Sequence, residues 1–434
     1  MKIIVTPHQD GIATVAHRNF YALVRVQATP EDCDGRESTP IHVALVVDRS
    51  GSMSGGKLEE AKRCVANLIE RLTERDQVAV VDYDDDIHTS LSLMPALTAQ
   101  QIAPVALANI HSGGTTALHG GWLRGAELLA GCTTRGAVSR VVLLSDGQAN
   151  VGLQHADEIC PQVAALAAAG VTTTTVGIGN GFNEELMVAM ARAGQGGSHY
   201  GERLEDLAEA FDAELGLLKA MAFRDVRLTI EGDAARYVQV ANGYAQVEDG
   251  YQLPAIACGS EAWALLKMPM RDAVLLAQAG RSLRIRISAL DGKGQPITIE
   301  HEMPFPPQVT PDVFHDLPRD KLVSRRRVEI KAADIQIAAR TAARQGLWDE
   351  VERAIEKLRA LGEENEWVKA SVPFLERLMQ ERDEESFSKE SYHKAHFMRS
   401  RLSALDESPR FSRSDELSEA EFLRRKMAQG RRSE

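Results

Sequence analysis

The chain has 434 residues, enough for two to four domains with separate cores. Apolar residues at 44% and charged residues at 26% are the balance of a soluble globular protein, and aromatics at only 5% leave a mostly aliphatic core. The formal net charge of −12 gives no support for binding a phosphate backbone, which requires a basic face, so nucleic acid is not an expected partner.

The N-terminus begins MKIIVTPHQDG, which lacks the apolar run of a signal peptide. Residues 1–36 hold two strand-like pieces, Lys2–Thr6 and Tyr21–Ala28. The second ends in alternation, with Val24, Val26 and Ala28 on one face and Arg25 and Gln27 on the other. A turn-rich linker ends at Pro40.

From Ile41 the rhythm changes. Ile41–Val47 is an almost continuous apolar run, as in strands of a parallel sheet buried on both faces. The expected order is then a helix over Leu58–Leu72, a strand Gln77–Tyr83, a helix near Gln100–Asn109 and a helix Ala117–Ala130. A strand Ser139–Leu144, a helix His155–Ala169, a strand Val171–Gly177 and a helix Glu184–Ala193 follow. This alternation predicts a doubly wound, mostly parallel α/β sheet of Rossmann-like type. The unit, residues 40–220, closes near Lys219.

Residues 222–305 read as strands throughout: Val226–Ile230, Tyr237–Val240, Ala262–Met268, Leu283–Ile287 and Ile297–Glu302. Turn signals between them suggest an antiparallel β-sandwich. The proline-rich run Pro304–Pro318 reads as a linker to a helical segment, 318–405. Its expected helices are Arg319–Gln345, Trp348–Leu361, Trp367–Glu381 and Lys389–Leu405, with Trp348 and Trp367 at core spacing. Residues 406–434 are polar and charge-mixed, expected to be mobile with one short helix near Glu416–Ala428. Val163–Val171, the most apolar helical stretch, is far too short to span a bilayer, so no membrane is expected.

The cysteines, Cys33, Cys64, Cys132, Cys160 and Cys258, are odd in number and never spaced as CxxC. That argues against a disulfide framework or zinc site and for a reducing, cytoplasmic setting.

Three short segments carry chemistry. The first parallel strand runs into Asp48-Arg49-Ser50-Gly51-Ser52-Met53, with a carboxylate and two hydroxyls at alternate positions of a tight turn. Hard cations such as Mg2+ take oxygen ligands in near-octahedral geometry and often keep several waters. One carboxylate and two neutral hydroxyls leave such an ion under-neutralised and attractive to a further anion. Ser112-Gly113-Gly114-Thr115-Thr116 opens a helix, and Leu144-Ser145-Asp146-Gly147 ends a buried strand. Asp48, Thr115 and Asp146 should all lie at the carboxyl edge of the sheet, where open α/β sheets bind ligands.

VVDRSGSMSGGKL, then GGTTAL, then LLSDGQANVG, together resemble the metal-ion-dependent adhesion site of von Willebrand factor A domains. Val80-Val81-Asp82-Tyr83, Thr175–Gly179, Phe182–Leu186 and Gly196–Tyr200 extend the resemblance over about residues 41–220, with Tyr83 standing where the family usually has Phe. The resemblance implies that Ser50 and Ser52 ligate the metal directly. Thr115 would do so directly or through water, and Asp48 and Asp146 through waters or hydrogen bonds. The sixth position would accept an Asp or Glu from a partner protein. The implied ion is Mg2+, with Mn2+ or Ca2+ possible, the low carboxylate count favouring the smaller ions.

The β-rich and helical segments that follow resemble bacterial and plant proteins pairing this domain with an interacting tail, and distantly the inter-alpha-trypsin inhibitor heavy chains. In that reading residues 1–36 join the sandwich and the α/β domain is inserted into it. The expected role is an intracellular adaptor or scaffold binding a partner carboxylate at the metal. A subunit of an ATPase- or kinase/phosphatase-linked complex is the alternative. A metal-dependent hydrolase is disfavoured, because no GxSxG or HExxH motif occurs and Ser50 and Ser52 are committed to the ion. Asp84–Asp86 reads as a solvated acidic loop, His111 and His119 as ordinary polar residues, and Gly177–Gly181 as a turn rather than a phosphate loop. The basic clusters Arg325–Arg327 and Arg424–Lys426 read as solvated faces.

Overall fold

The computed structural model describes residues 1–14, 18–33, 39–132, 137–146, 149–178, 182–201, 215–216, 218–247, 250–400 and 403–404. Strands β1 (Lys2–Pro7) and β2 (Asn19–Gln27) form an antiparallel pair, followed by the single turn α1 (Pro30–Cys33). The chain then builds a six-stranded sheet. Its elements in order are β3 (Ile41–Asp48), α2 (Lys57–Glu70), β4 (Gln77–Tyr83), β5 (Ile87–Pro95), α3 (Ala96–Ala108), α4 (Leu118–Ala130), β6 (Val138–Ser145), α5 (Ala156–Ala168), β7 (Val171–Ile178), α6 (Glu184–Ala193) and β8 (Gln195–Gly201). The spatial order is β5-β4-β3-β6-β7-β8, and only β5 runs antiparallel to its neighbour.

Every residue of β3 is buried. Val43, Leu45 and Val47 face one core with Val65, Leu68 and Ile69 of α2. Ala44 and Val46 face the other, with Leu118, Trp122 and Ala126 of α4. That two-sided burial explains the unbroken apolar run. Each fully buried Leu, Ile or Val contributes about 1.5–3 kcal/mol. Strand order reverses beside β3: the chain steps to β4 on one side and returns to β6 on the other. Asp48 and Ser145, the last residues of β3 and β6, therefore border the crevice at the switch point.

The remaining strands form two antiparallel sheets. In order they are β9 (Met221–Glu231), β10 (Gln239–Val240), β11 (Gln246–Val247), β12 (Gly250–Gln252), β13 (Ile256–Ala257) and β14 (Ser260–Pro269), then after helix α7 (Met270–Gln278) β15 (Ser282–Asp291) and β16 (Pro296–Pro304). One sheet runs β1-β2-β14-β10, with β17 (Ser403–Ala404) also on β14; the other runs β11-β12-β9-β15-β16, with β13 also on β9. β2 pairs with β14 from Asn19 opposite Pro269 to Gln27 opposite Glu261. The first two strands thus lie in this layer and not in the parallel sheet. Val24 and Val26 of β2 share a core with Ala262, Ala264 and Leu266 of β14 and with Leu228, Ile285 and Ile287 of the facing sheet.

Four long helices follow the short α8 (Pro311–Asp316): α9 (Lys321–Arg344), α10 (Trp348–Gly362), α11 (Glu366–Glu381) and α12 (Glu384–Ser400). Val323 and Ile330 of α9 pack on Leu23, Trp263 and Leu265, the outer face of the β2–β14 pair. Arg340 at the other end of α9 reaches Glu184 Oε1 (3.1 Å) and Glu185 Oε1 (2.6 Å) in the first turn of α6, and Arg344 adds a bond to Glu185 (2.5 Å). One helix therefore touches both the sandwich and the parallel-sheet unit.

Several expectations need correction. The segment 222–305 is not all strand, because Met270, Ala273 and Val274 at helical spacing bury one face of α7. Gly232–Arg236 forms a 3-10 turn, so only Gln239–Val240 of the expected strand pairs. The proline-rich run is no loose linker: Ile12 N donates to Pro307 O, Val309 N donates to Ile12 O, and Phe314 is buried. The last helix spans Glu384–Ser400, earlier than expected. Cys33 is bonded to Cys258, which overturns the expectation of unpaired cysteines and withdraws their argument for a reducing compartment. No helix of the described residues is long and apolar enough to cross a membrane. The closing helix near Lys219 falls partly outside the described residues, and Gly147, Gly179–Gly181, Glu416–Ala428 and Arg424–Lys426 lie wholly outside them.

Between β1 and β2 the chain sets His8 against α9. The ring is 8% exposed, Nε2 lies 3.0 Å from Ser324 Oγ, and Arg327 Nη1 lies 3.2 Å from the same nitrogen. Burial, then the Arg327 and Arg319 charges, push the imidazole down from 6.5 to about 4, against a smaller opposing pull from Asp320. Between those values the unfolded chain binds a proton that the folded one refuses. The contribution is therefore complete above pH 6.5 and is lost as pH falls towards 4. Full loss costs on the order of 3 kcal/mol. His8→Gln should flatten this limb of the pH–stability curve in urea unfolding; an unchanged slope between pH 6.5 and 4 would refute the assignment.

Candidate metal centre

β3 delivers Asp48 to the crevice with no solvent exposure. Asp48 Oδ1 accepts the Ser50 N–H at 2.9 Å, bending the chain into its turn, and Oδ2 accepts the Ser145 hydroxyl at 2.6 Å. A 3-10 turn over Gly51–Met53 follows, pinned by the fully buried Met53 side chain. Anchored there, the turn brings Ser50 Oγ to 3.1 Å from Ser52 Oγ. Ser52 Oγ donates to Asp146 Oδ1 at 2.7 Å. Asp48, Ser50, Ser52 and Asp146 thus form one connected set of oxygens drawn from two strand ends.

The glycine-rich loop docks on this turn through its backbone. Gly51 N donates to Gly114 O (3.1 Å), and Gly113 N to Arg49 O (2.9 Å). Gly114 sits at φ +60°, and a Cβ there would stand 1.8 Å from Asp85 Oδ1, so glycine is required. Thr115 donates its N–H to Asp85 Oδ1 (3.1 Å), and its side chain is exposed. This docking brings the loop that carries Thr115 onto the Asp48–Ser52 turn, and the hydrogen bond shown for Thr115 is the one from its N–H to Asp85. The next residue, Thr116, is clamped by Asn150, whose Oδ1 accepts its N–H at 2.7 Å.

Asp84–Asp86 is not simply a solvated acidic loop. Asp84 is 6% exposed, pairs with Arg49 Nη2 at 2.9 Å and accepts the Asp86 N–H. Arg49 Nε also lies 3.0 Å from Asp82. His111 is exposed, and His119 bonds to Gln162 away from the turn, as ordinary polar residues do. Four contributors were not visible in the sequence: Ser145, Lys57, Arg49 and Asn150. Only Ser145 carried a signal, as a hydroxyl ending an otherwise apolar strand.

The electrostatics favour a cation. Burial raises the Asp48 carboxyl above its ordinary value, the Ser145 and Ser50 hydrogen bonds oppose this, and the Asp146 charge adds to it. Beneath it the Tyr83 phenol is pushed far up, by burial first and the Asp48 charge second, and so stays neutral. Lys57 Nζ lies 2.5 Å from Asp146 Oδ2, showing that this carboxylate attracts positive charge. Among the described residues no three His, Cys, Asp or Glu side chains group as a metal site, so an ion here depends on hydroxyl oxygens. Ser50 Oγ and Ser52 Oγ stand 3.1 Å apart, close to the roughly 2.9 Å between neighbouring ligands of a small octahedral ion.

Residues 42–212 match the family model for the von Willebrand factor type A domain. The chain carries a von Willebrand factor type A domain. Its relatives include the E. coli protein YfbK, 28% identical over 221 residues (49% of this chain, 37% of YfbK), and the Synechocystis protein sll0103, 28% identical over 227 residues (52% of each). Human inter-alpha-trypsin inhibitor heavy chain H3 is 28% identical over 169 residues, 37% of this chain and 19% of that protein. The chain thus spans about half or less of the length of these relatives. Two solved structures share the architecture well beyond the domain. The ArnB paralog VWA2 from Sulfolobus acidocaldarius aligns over 91% of this chain and 97% of its own (TM-score 0.61, 17% identity). The von Willebrand factor type A protein from Catenulispora acidiphila aligns over 85% and 88% (TM-score 0.66, 19% identity). At those identities the likeness is one of fold. Domains of this family typically bind other proteins, often through a divalent metal.

Proposed function

We propose that this chain is a metal-dependent protein-binding module, an adaptor or scaffold, whose von Willebrand factor type A domain is inserted between the first strand pair and the rest of the sandwich. The observation that carries the reading is the connected oxygen set Asp48–Ser50–Ser52–Asp146 at the switch point of the sheet. Ser50 and Ser52 would hold Mg2+ (or Mn2+) directly. Asp48 and Asp146 would hold it through water, and Thr115 completes the set once its loop closes. The bound ion supplies an electrophilic position that a partner's Asp or Glu can fill. This chain's own part is to orient the hydroxyls: Asp48 fixes the turn, Met53 anchors it, and Gly114 lets the second loop approach.

The site reads as a binding centre and not a catalytic one. The Ser50 hydroxyl bonds to that of Ser52, which donates to Asp146, and among the described residues no imidazole is bonded to either. The test is retention of partner proteins on the immobilised chain with Mg2+, with EDTA, and on a Ser52→Ala variant. Partners should be retained only by the unmodified chain with metal. Equal retention in all three conditions would sink the reading.

A further inference from the structure

Lys57 contacts the site but is not one of its proposed ligands, and its position is electrostatically odd. It is the first residue of α2, where a cation opposes the helix dipole. The segment before it is open: Gly55, at φ +88°, and Gly56 have nothing within 4 Å of where a Cβ would stand. What holds the side chain is the site itself. Lys57 Nζ lies 2.5 Å from Asp146 Oδ2 and 3.4 Å from the Ser52 carbonyl. The Asp146 side chain has no exposure, while that of Lys57 is 40% exposed. The other oxygen of the same carboxylate takes the Ser52 hydroxyl. The ammonium thus neutralises the carboxylate that borders the hydroxyl pair. A divalent ion and an ammonium on one buried carboxylate repel each other strongly, so the arrangement suits one or the other.

We propose that Lys57 is a built-in counter-ion of the metal centre: it holds Asp146 in the metal-free chain and leaves when a divalent cation loads, so that loading is an exchange of cations. The inference rests on the metal-binding reading above and adds how that site is regulated. Without the exchange, Asp146 would be left buried and uncompensated whenever the ion departs. With it, the two glycines give the lysine room to swing to the rim of the site.

The experiment measures Mn2+ binding by electron paramagnetic resonance of the free ion for the full chain, Lys57→Met and Lys57→Arg, with melting in EDTA as a second readout. Lys57→Met should bind Mn2+ about tenfold more tightly, having no cation to displace, and Lys57→Arg should stay within about twofold of the unmodified chain. In EDTA Lys57→Met should melt below the unmodified chain, and saturating Mn2+ should close the gap. Equal or weaker Mn2+ binding by Lys57→Met overturns the exchange while leaving the metal reading intact. No saturable Mn2+ binding by either the unmodified chain or Lys57→Met overturns both.

Discussion

On the proposed metal-binding reading, Asp48→Ala should abolish stabilisation of this protein by Mg2+. At a free Mg2+ concentration 100 times the dissociation constant, the unmodified chain should gain about 2.7 kcal/mol, and the variant none. The reason is geometric as much as electrostatic. Asp48 holds the Ser50 N–H and the Ser145 hydroxyl at once, so its loss both removes charge and releases the turn that aims Ser50 and Ser52. Asp48→Asn separates the two effects. It keeps an oxygen for the Ser50 N–H, and its NH2 can donate to the Ser145 hydroxyl, so the turn holds while the charge is lost and Mg2+ stabilisation should still disappear. In EDTA, however, Asp48→Asn should melt above the unmodified chain, because burial disfavours the ionised carboxyl that it replaces. Differential scanning calorimetry with Mg2+ and with EDTA reads both results. An equal Mg2+ shift in Asp48→Ala would remove Asp48 from the site.

The second large effect concerns the junction of helices and sandwich. Arg326 of α9 has no exposure, lies over the Trp263 ring at 4.7 Å and bonds to the buried Glu329 at 2.9 Å. Arg325 (3.6 Å) and Asn365 (3.2 Å) also reach Glu329. Arg326→Met should cost about 3–5 kcal/mol, because it strands much of a buried negative charge. Arg326→Met combined with Glu329→Met should recover most of that loss, since replacing both members of a buried pair with apolar groups is often neutral. Urea unfolding measures both. If the single variant costs under about 1 kcal/mol, surrounding groups already satisfy Glu329 and the Arg326 contact with Trp263 does little to tie α9 to β14.

The parallel sheet was legible because strands buried on both faces must be apolar at successive positions, as Ile41–Val47 is. β5 was missed for the converse reason. As an antiparallel edge strand it keeps mostly Leu91 buried and leaves His88 and Ser92 exposed, so it carries little apolar signal. α7 was hidden by brevity, its nine residues lying among strands. At the site, Asp48, Ser50 and Ser52 were readable as near neighbours on one turn. The Lys57–Asp146 contact spans 89 residues and the Cys33–Cys258 bond 225, distances over which sequence spacing says nothing about proximity.

The attachment of the α/β unit has a mechanical consequence. The chain enters β3 at Ile41, and Arg224 just past the exit donates to Ala137 O at the start of β6, so both attachments lie at the ends of the strands remote from Asp48 and Asp146. The Cys33–Cys258 bond joins the segment before β3 to the turn before β14. A pull on anything held at Ser50 and Ser52 would run lengthwise down β3 into this covalent strap. That load would pass along the covalent backbone of β3, while its parallel neighbours on both sides hold the strand in register.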